Sequence, residues 1–186
     1  MIAFLSVFHI EYKEYNRGAV YLGYFLTPAT VCLAIPLYKQ LELLRQHLIA
    51  VASAIVAGVA GSVGSIYVMC RFFQLEHTHY VTLLPKSITT AIGMGVSEEA
   101  GGIVTLTVIS IIITGILGNI IADWLFQIFK IEEPIAKGLA LGTAAHAIGT
   151  AKALELGEIE GAMSSLSIAV AGLLTVVVVS LMSGLI

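Results

Sequence analysis

Hydroxyl groups, a histidine and a lysine occur within an apolar stretch of this chain, at spacings that would bring them together. If Gly138 to Lys152 is a helix, side chains three or four residues apart share a face, and Thr143, His146 and Thr150 form one polar ridge that Lys152 follows. Polar groups in an apolar environment are costly unless protein, water or a ligand meets them. The ridge therefore indicates either a substrate or ion site or a set of hydrogen bonds between helices.

Small residues form a neighbouring ridge on the same helix. Gly138, Gly142, Ala145 and Gly149 follow one another at helical spacing. This pattern is typical of membrane helices that approach each other closely. We expect another backbone to pack against it.

A second polar group lies upstream, where Pro85 precedes Lys86 and three hydroxyl residues, Ser87, Thr89 and Thr90. A cation near a helix start opposes the helix dipole, so another interaction must hold it there. One such interaction is with a substrate carboxylate, and the alternative is that the side chain extends to the membrane interface. We favour the carboxylate.

Neither an enzyme nor a metal site is indicated. His146 has no second His, Cys or carboxylate at ligand spacing, which leaves contact with a substrate or a coupling proton, or a packing role. The sequence contains no nucleophile with its base and no nucleotide-binding glycine loop. We therefore predict no catalytic residue, no cofactor and no metal.

Composition places the chain in a membrane. Of its 186 residues 58% are hydrophobic and 11% charged, and the mean hydropathy is +0.98. Soluble domains carry about 25% charged residues, so this chain cannot cover a water-facing surface. The net charge of −3 and the lack of a Lys/Arg cluster exclude nucleic acid as a partner. We predict one membrane domain over residues 1–186.

The fold class expected is an all-α integral membrane protein with about six membrane segments. These are predicted at residues 19–38, 48–73, 80–97, 103–129, 139–151 and 162–186. Pro28 interrupts the first and Pro36 ends it, Pro85, Gly93 and Gly95 break the third, and the fifth is only half-length.

The three interrupted segments indicate an internal repeat. Residues 26–36, 83–93 and 139–149 share Leu, three residues, Ser or Thr, three residues, Ala-Ile, and then Pro or Gly, at spacings of 57 and 56. The unit would be one broken segment and one full span, with the breaks at Pro36, Gly93 and Gly149. Broken helices of this kind surround substrate sites in transporters, although the same residues could simply kink packed helices.

Two long motifs resemble those of the LrgB/CidB family of bacterial membrane proteins, described as antiholin-like or holin-like. They are GLALGTAAHAIGTAKALELGEIEGAMSSL from Gly138 and LLPKSITTAIGMGVSEEAGGI from Leu83. The resemblance extends from about Tyr24 to the C-terminus. Family members carry further transmembrane sequence upstream, so we expect this chain to lack N-terminal segments found in the family.

The resemblance implies a transporter, because family relatives include a plastid glycolate/glycerate translocator and bacterial pyruvate-handling systems. The expected function is transport of small 2-oxo or 2-hydroxy monocarboxylates across the cell membrane by a multi-pass protein, linked to control of murein hydrolase activity and lysis. The substrate-binding residues that it implies are Lys86 and Lys152 for the carboxylate, and Ser87, Thr89, Thr90, Thr143, His146 and Thr150 for the 2-oxo or 2-hydroxy group. The helix breaks expected to line that site are Pro28, Pro36, Pro85, Gly93 and Gly149.

The alternative is a non-transporting, antiholin-like interaction protein that regulates a holin-like LrgA/CidA partner. Its small-residue ridges would then form contacts within an oligomer. Besides the carboxylate and the lipid bilayer, the expected partners are therefore an LrgA/CidA-type protein and further copies of the chain.

Overall fold

The computed structural model describes residues 8, 12–24, 28, 31–32 and 34–185, which divide into two units, residues 1–35 and 36–186. The named helices are α1 (Tyr12–Gly23), α2 (Ala34–Lys39), α3 (Leu41–Gln46), α4 (Leu48–Phe72), α5 (His77–Leu83), α6 (Thr90–Glu99), α7 (Val104–Ile128), α8 (Pro134–Leu156) and α9 (Glu158–Met182), followed by a 3-10 turn (Ser183–Leu185). The described part contains no strand, which confirms the all-α prediction.

Helices α4, α7 and α9 are each 25 residues long. At 1.5 Å per residue each extends about 37 Å, more than the roughly 30 Å of a bilayer's hydrocarbon core. Their apolar windows have mean hydropathies of 2.0, 2.2 and 2.4. Large apolar side chains such as Ile120 and Leu173, each 70% exposed, cover their outer surfaces. Three helices are thus long and apolar enough to cross a membrane.

Helix α8 consists of two arms, residues 134–145 and 147–156, that fold back on each other at His146. This residue has φ 43° and ψ −131°, outside the helical region. A Cβ on Gly149 would collide with the carbonyl oxygen of Leu141, and Ala153 packs in one cluster with Leu141 and Ala122. Residues eight apart in a straight helix are about 12 Å apart. We call α8 the second hairpin, because an earlier segment of the chain forms a first one, and we call His146 its tip.

The segment from His77 to Glu99 is the first hairpin, and residues 84–89 form its tip. Thr107 Oγ1 of α7 donates to the carbonyl oxygen of Thr82 (2.9 Å) in the entering arm α5 and lies 2.7 Å from Ser97 Oγ in the returning arm α6, whose hydroxyl can donate to it. These two partners are 15 residues apart in sequence, so the arms lie side by side. Helix α5 ends at Leu83, with Leu84 as its C-cap before Pro85, so the chain breaks at this proline as predicted.

The two hairpins enter the second unit from opposite ends. At the Tyr80 end, where α7 begins and α9 terminates, Ile103 N donates to Thr82 Oγ1 and Tyr80 Oη donates to the carbonyl oxygen of Met182. At the Asp123 end, where α7 ends and α9 starts, Lys152 pairs with Asp123. Helix α7 therefore runs antiparallel to α9, and each hairpin returns to the end at which it entered.

Hairpin followed by long helix is the repeating unit, as the sequence pattern predicted for its second and third copies. The long helices begin at residues 48, 104 and 158, at spacings of 56 and 54. A Cβ on Gly93 would lie 3.5 Å from the carbonyl oxygen of Pro85, eight residues earlier, in the same relation as Gly149 has to Leu141. The first copy, residues 26–36, lies partly outside the described residues.

The predicted positions of the helix breaks need correction. Gly93 lies inside α6 and Gly149 inside the returning arm of α8. The breaks precede Ala-Ile in both copies, at residues 84–89 and at His146. The two glycines instead allow the returning arm to approach the carbonyl groups of the entering arm. Pro36 lies in the first turn of α2, where proline is tolerated, and does not end a helix, while Pro28 is exposed in the first unit.

Replacing Gly149 with alanine should destabilise the protein by about 1–3 kcal/mol or more. The added Cβ meets backbone atoms of Leu141, which cannot move unless the two arms separate. Gly61→Ala on α4 is the matched control, because no atom lies within 4 Å of the added Cβ. Thermal unfolding in detergent measures both variants, and equal stability of the two would contradict the hairpin.

Candidate functional site

The two hairpins meet the same face of α4, one helical turn apart. Ser62 Oγ donates to Ser87 Oγ of the first tip at 2.8 Å. A Cβ on Gly58 would lie 3.0 Å from Thr143 Oγ1 of the second hairpin. Because residues i and i+4 of a helix are about 5–6 Å apart at Cβ, α4 brings these two hydroxyl residues close together.

Ile111 of α7 also contacts both hairpins, so α7 is a second long helix that touches them beside α4. Its carbonyl oxygen lies 3.0 Å from His146 Nε2, and its Cδ1 lies against Gly93. The two polar motifs of the sequence are therefore neighbours in space, between α4 and α7. This region of the second unit is the candidate site.

Lys86 and Ser87 form a pair that offers only hydrogen-bond donors. Ser87 Oγ accepts one hydrogen bond from Ser62 Oγ and another from Lys86 Nζ at 3.1 Å, which occupies both of its lone pairs. Its own hydroxyl hydrogen has no acceptor among the described residues, although Ser87 is only 8% exposed. The ammonium group of Lys86 keeps two further donors. Such a pair is suited to an anion.

Thr89 and Thr90 stand where the returning arm of the first hairpin starts. Thr89 is the N-cap of α6 in extended conformation, and its hydroxyl does not cap the helix. The first amides of a helix lack partners within it and carry partial positive charge. The start of α6 therefore adds donors near Lys86 and Ser87, and both threonine side chains are half-buried.

His146 is buried at the second tip, with 4% of its surface exposed. Since a carbonyl oxygen only accepts, Nε2 carries the proton that it shares with Ile111, and Nδ1 is left for another partner. A Cβ on Gly115 would lie 2.8 Å from His146 Cε1, so α7 leaves space for the imidazole ring there. A non-glycine residue with positive φ at a tip is strained, and such strain occurs most often at functional sites.

Thr143 and Thr150 make hydrogen bonds within the protein. Thr143 Oγ1 donates to the carbonyl oxygen of Leu139 at 2.7 Å. Thr150 Oγ1 lies 3.0 Å from the carbonyl oxygen of His146 and 2.7 Å from Ser164 Oγ of α9. Thr150 thus joins the returning arm to a long helix. Hydrogen bonds between helices are one of the two alternatives that the sequence left open for this ridge.

Lys152 lies away from the tips. Its Nζ is 2.9 Å from Asp123 Oδ2, in an ion pair whose side chains are 20% and 53% exposed. Asp123 is 12 residues beyond Ile111 on α7, or about 18 Å along the helix axis. The structure therefore groups Lys86, Ser87, Thr89, Thr90, Thr143 and His146 near the tips and places Lys152 at the Asp123 end.

Comparison with known proteins decides the family. The model of the LrgB-like family matches residues 1–185. The chain belongs to the LrgB-like family. It is 40% identical over 178 residues to proteins named "Antiholin-like protein LrgB" from Bacillus mycoides (strain KBAB4), Bacillus cereus (strain B4264) and Bacillus anthracis (strain CDC 684 / NRRL 3495). The match covers 96% of this chain and 77% of each relative. No solved structure matches the chain.

Several polar residues of this LrgB-like chain were missed by the sequence analysis. Thr82, Ser97 and Thr107 form a buried cluster that holds the first hairpin to α7. Ser164 meets Thr150, and Ser62 meets Ser87. A hydroxyl residue in a helix can equally bond to its own backbone, so its type and position do not show a contact with another segment. Only the packing of the hairpins shows which of them bridge segments.

Lys152→Gln should change the affinity for the predicted carboxylate substrate by less than about threefold, because Lys152 pairs with Asp123 away from the hairpin tips and an ion pair open to solvent contributes little. The comparison is with Asp123→Asn, which breaks the same ion pair from the other side. Pyruvate uptake by both variants in proteoliposomes is the measurement. A large loss in Lys152→Gln but not in Asp123→Asn would return Lys152 to the substrate site.

Proposed function

We propose that this LrgB-like protein is a carrier, not an enzyme, that moves small 2-oxo and 2-hydroxy monocarboxylates such as pyruvate and glycolate across the cell membrane. The observation that supports it most is the Lys86–Ser87 pair, which presents donors only. A carboxylate accepts up to four hydrogen bonds and compensates the lysine charge. A neutral ligand would satisfy the donors without balancing that charge.

The opposed hairpins support a carrier in preference to an open pore. One hairpin enters from the Tyr80 end and the other from the Asp123 end, and their tips meet between α4 and α7. A site at the tips is separated from each end by one hairpin. Movement of either hairpin would open the site to one end alone, as alternating access requires. Inverted repeats with midplane sites are common in such carriers.

Within this proposal the tip residues have separate roles. Lys86 and Ser87 bind the carboxylate. Thr89 and Thr90, together with the start of α6, and His146 of the facing hairpin bind the 2-oxo or 2-hydroxy group. The contact of Thr143 with α4 at Gly58 would hold that hairpin beside the substrate.

The distribution of basic residues supports a cytoplasmic Asp123 end. Lysines and arginines at that end of the second unit are Lys39, Arg45, Lys130, Lys137 and Lys152, whereas Arg71 lies at the Tyr80 end. Short cytoplasmic loops are enriched in lysine and arginine. The protein would then take its substrate between the cytoplasm and the outer side of a bacterial plasma membrane.

The names of the relatives favour a second role in the control of lysis. They are called antiholin-like, which suggests that this chain also acts on murein hydrolase activity, with a holin-like LrgA/CidA-type partner or as a homo-oligomer. A change in carboxylate flux would link the two roles. The alternative is a regulator of that partner that transports nothing.

Uptake of labelled pyruvate and glycolate into proteoliposomes tests the proposal. Saturable uptake that unlabelled pyruvate competes away, and that an uncharged analogue such as pyruvamide does not, is the expected result. If neither acid is taken up, with or without an LrgA/CidA-type partner in the membrane, the carrier proposal fails. The regulator would then be the better account.

A further inference from the structure

The serines of α4 do not behave alike. Ser53 Oγ donates to the carbonyl oxygen of Ala50 at 2.9 Å, and Ser65 Oγ donates to that of Ser62 at 2.7 Å. Both thus bond within their own helix, the ordinary behaviour of a serine in a helix. Ser62 instead donates across to Ser87 of the first hairpin tip at 2.8 Å. This bond links two segments 25 residues apart in sequence.

The bond from Ser62 determines what Ser87 can offer a ligand. A hydroxyl has one donor hydrogen and accepts through two lone pairs. With Ser62 Oγ and Lys86 Nζ both donating to it, Ser87 Oγ has no lone pair left, and its hydrogen can only point to a third partner. If Ser62 did not donate, Ser87 could rotate and accept from water or from a ligand donor.

We propose that Ser62 is a positioning residue of the carboxylate site, which directs the Ser87 hydroxyl towards the bound anion and makes the tip selective for carboxylates. This inference rests on the proposed function, because it assumes that the tip binds a carboxylate. It assigns a role in substrate binding to α4, which lies outside the two polar motifs of the sequence. The long helix then forms a fixed wall of the site, while the hairpins form its movable parts.

The contact of Gly58 with Thr143 supports this role for α4. Gly58 lies one turn before Ser62, and a Cβ there would be 3.0–3.3 Å from three atoms of the Thr143 side chain. The same face of α4 thus receives Ser87 from one hairpin and Thr143 from the other. These two residues occupy equivalent positions in the repeat, each four residues before Ala-Ile. A ligand between the tips would lie next to this face.

The test compares four proteins in detergent: the parent chain, Ser62→Ala, Ser62→Thr and Ser65→Ala. Equilibrium binding of labelled pyruvate measures the dissociation constant without requiring transport, and thermal unfolding reports on folding. We expect Ser62→Ala to weaken pyruvate binding about threefold to tenfold, the effect of one lost hydrogen bond. Ser62→Thr keeps the hydroxyl and should restore most of the affinity, and Ser65→Ala should bind as the parent does.

Selectivity separates a positioning role from a structural one. In Ser62→Ala the preference for pyruvate over uncharged pyruvamide should fall, while the melting temperature should change no more than in Ser65→Ala. Equal pyruvate affinity in Ser62→Ala and Ser65→Ala would overturn the inference. A parent chain that binds pyruvate but does not transport it would refute the carrier and leave the role of Ser62 standing, whereas a parent that does not bind pyruvate refutes both.

Discussion

Replacing Lys86 with methionine should lower the affinity for pyruvate about 10- to 100-fold and bring uptake close to background. The substitution removes the ammonium group beside Ser87 and leaves a side chain of similar length. Hydrogen bonds to charged groups contribute about 1.5–3 kcal/mol, which corresponds to this loss of affinity. Concentration-dependent uptake of labelled pyruvate into proteoliposomes measures the effect.

The stability of Lys86→Met should equal or exceed that of the parent chain. A half-buried ammonium group loses hydration, and in the absence of substrate its partner in the described structure is a neutral hydroxyl. Loss of uptake together with unchanged melting therefore distinguishes a binding role from a structural one. The control is Lys137→Met, which removes a cation near the Asp123 end. If Lys86→Met transports pyruvate as well as Lys137→Met does, Lys86 is not a carboxylate ligand.

Much of the fold follows from composition and spacing. Few charges and long apolar stretches predict membrane helices, and the hydroxyl residue followed by Ala-Ile at a spacing of 56 predicts equivalent segments. These features depend on the local sequence alone. The same reasoning singled out Lys86 and His146, because polar groups in apolar segments must meet partners, and the family resemblance predicts that both bind the substrate.

The reversal of α8 could not be predicted in this way. Both of its arms have the same helical period, so periodicity runs straight through the turn. A glycine at the turn would have indicated the break, but the residue with positive φ is His146. Gly149, three residues later, instead allows the two arms to pack closely. Only contacts such as that of Gly149 with Leu141, eight residues apart, reveal the hairpin.

The same reversal explains why Lys152 was assigned to the substrate site. In sequence Lys152 comes directly after the ridge of Thr143, His146 and Thr150, two residues beyond Thr150. Because the returning arm runs back to the Asp123 end, Lys152 instead reaches a carboxylate on α7. The role of Ser62 was hidden for a related reason, since its partner belongs to another hairpin. Both contacts depend on long-range packing, which periodicity does not contain.

Replacing His146 with glycine and with alanine should separate the function of the imidazole from the shape of the turn. Glycine adopts positive φ without steric cost, whereas alanine retains the strain, which is about 1–3 kcal/mol for such backbone conformations. We therefore expect His146→Gly to unfold at a higher temperature than His146→Ala. Both variants lose the hydrogen bond from Nε2 to Ile111.

Pyruvate uptake should fall at least tenfold in both variants, although glycine is the residue that this turn would favour. The histidine places one ring nitrogen against α7 and leaves Nδ1 for the substrate, and no hydrogen bond within the described residues requires that second nitrogen. If His146→Gly were more stable than His146→Ala and also transported at the rate of the parent, the imidazole would have only a packing role. Low uptake in a well-folded His146→Gly would show instead that the strained backbone is tolerated because the second tip needs the ring for binding.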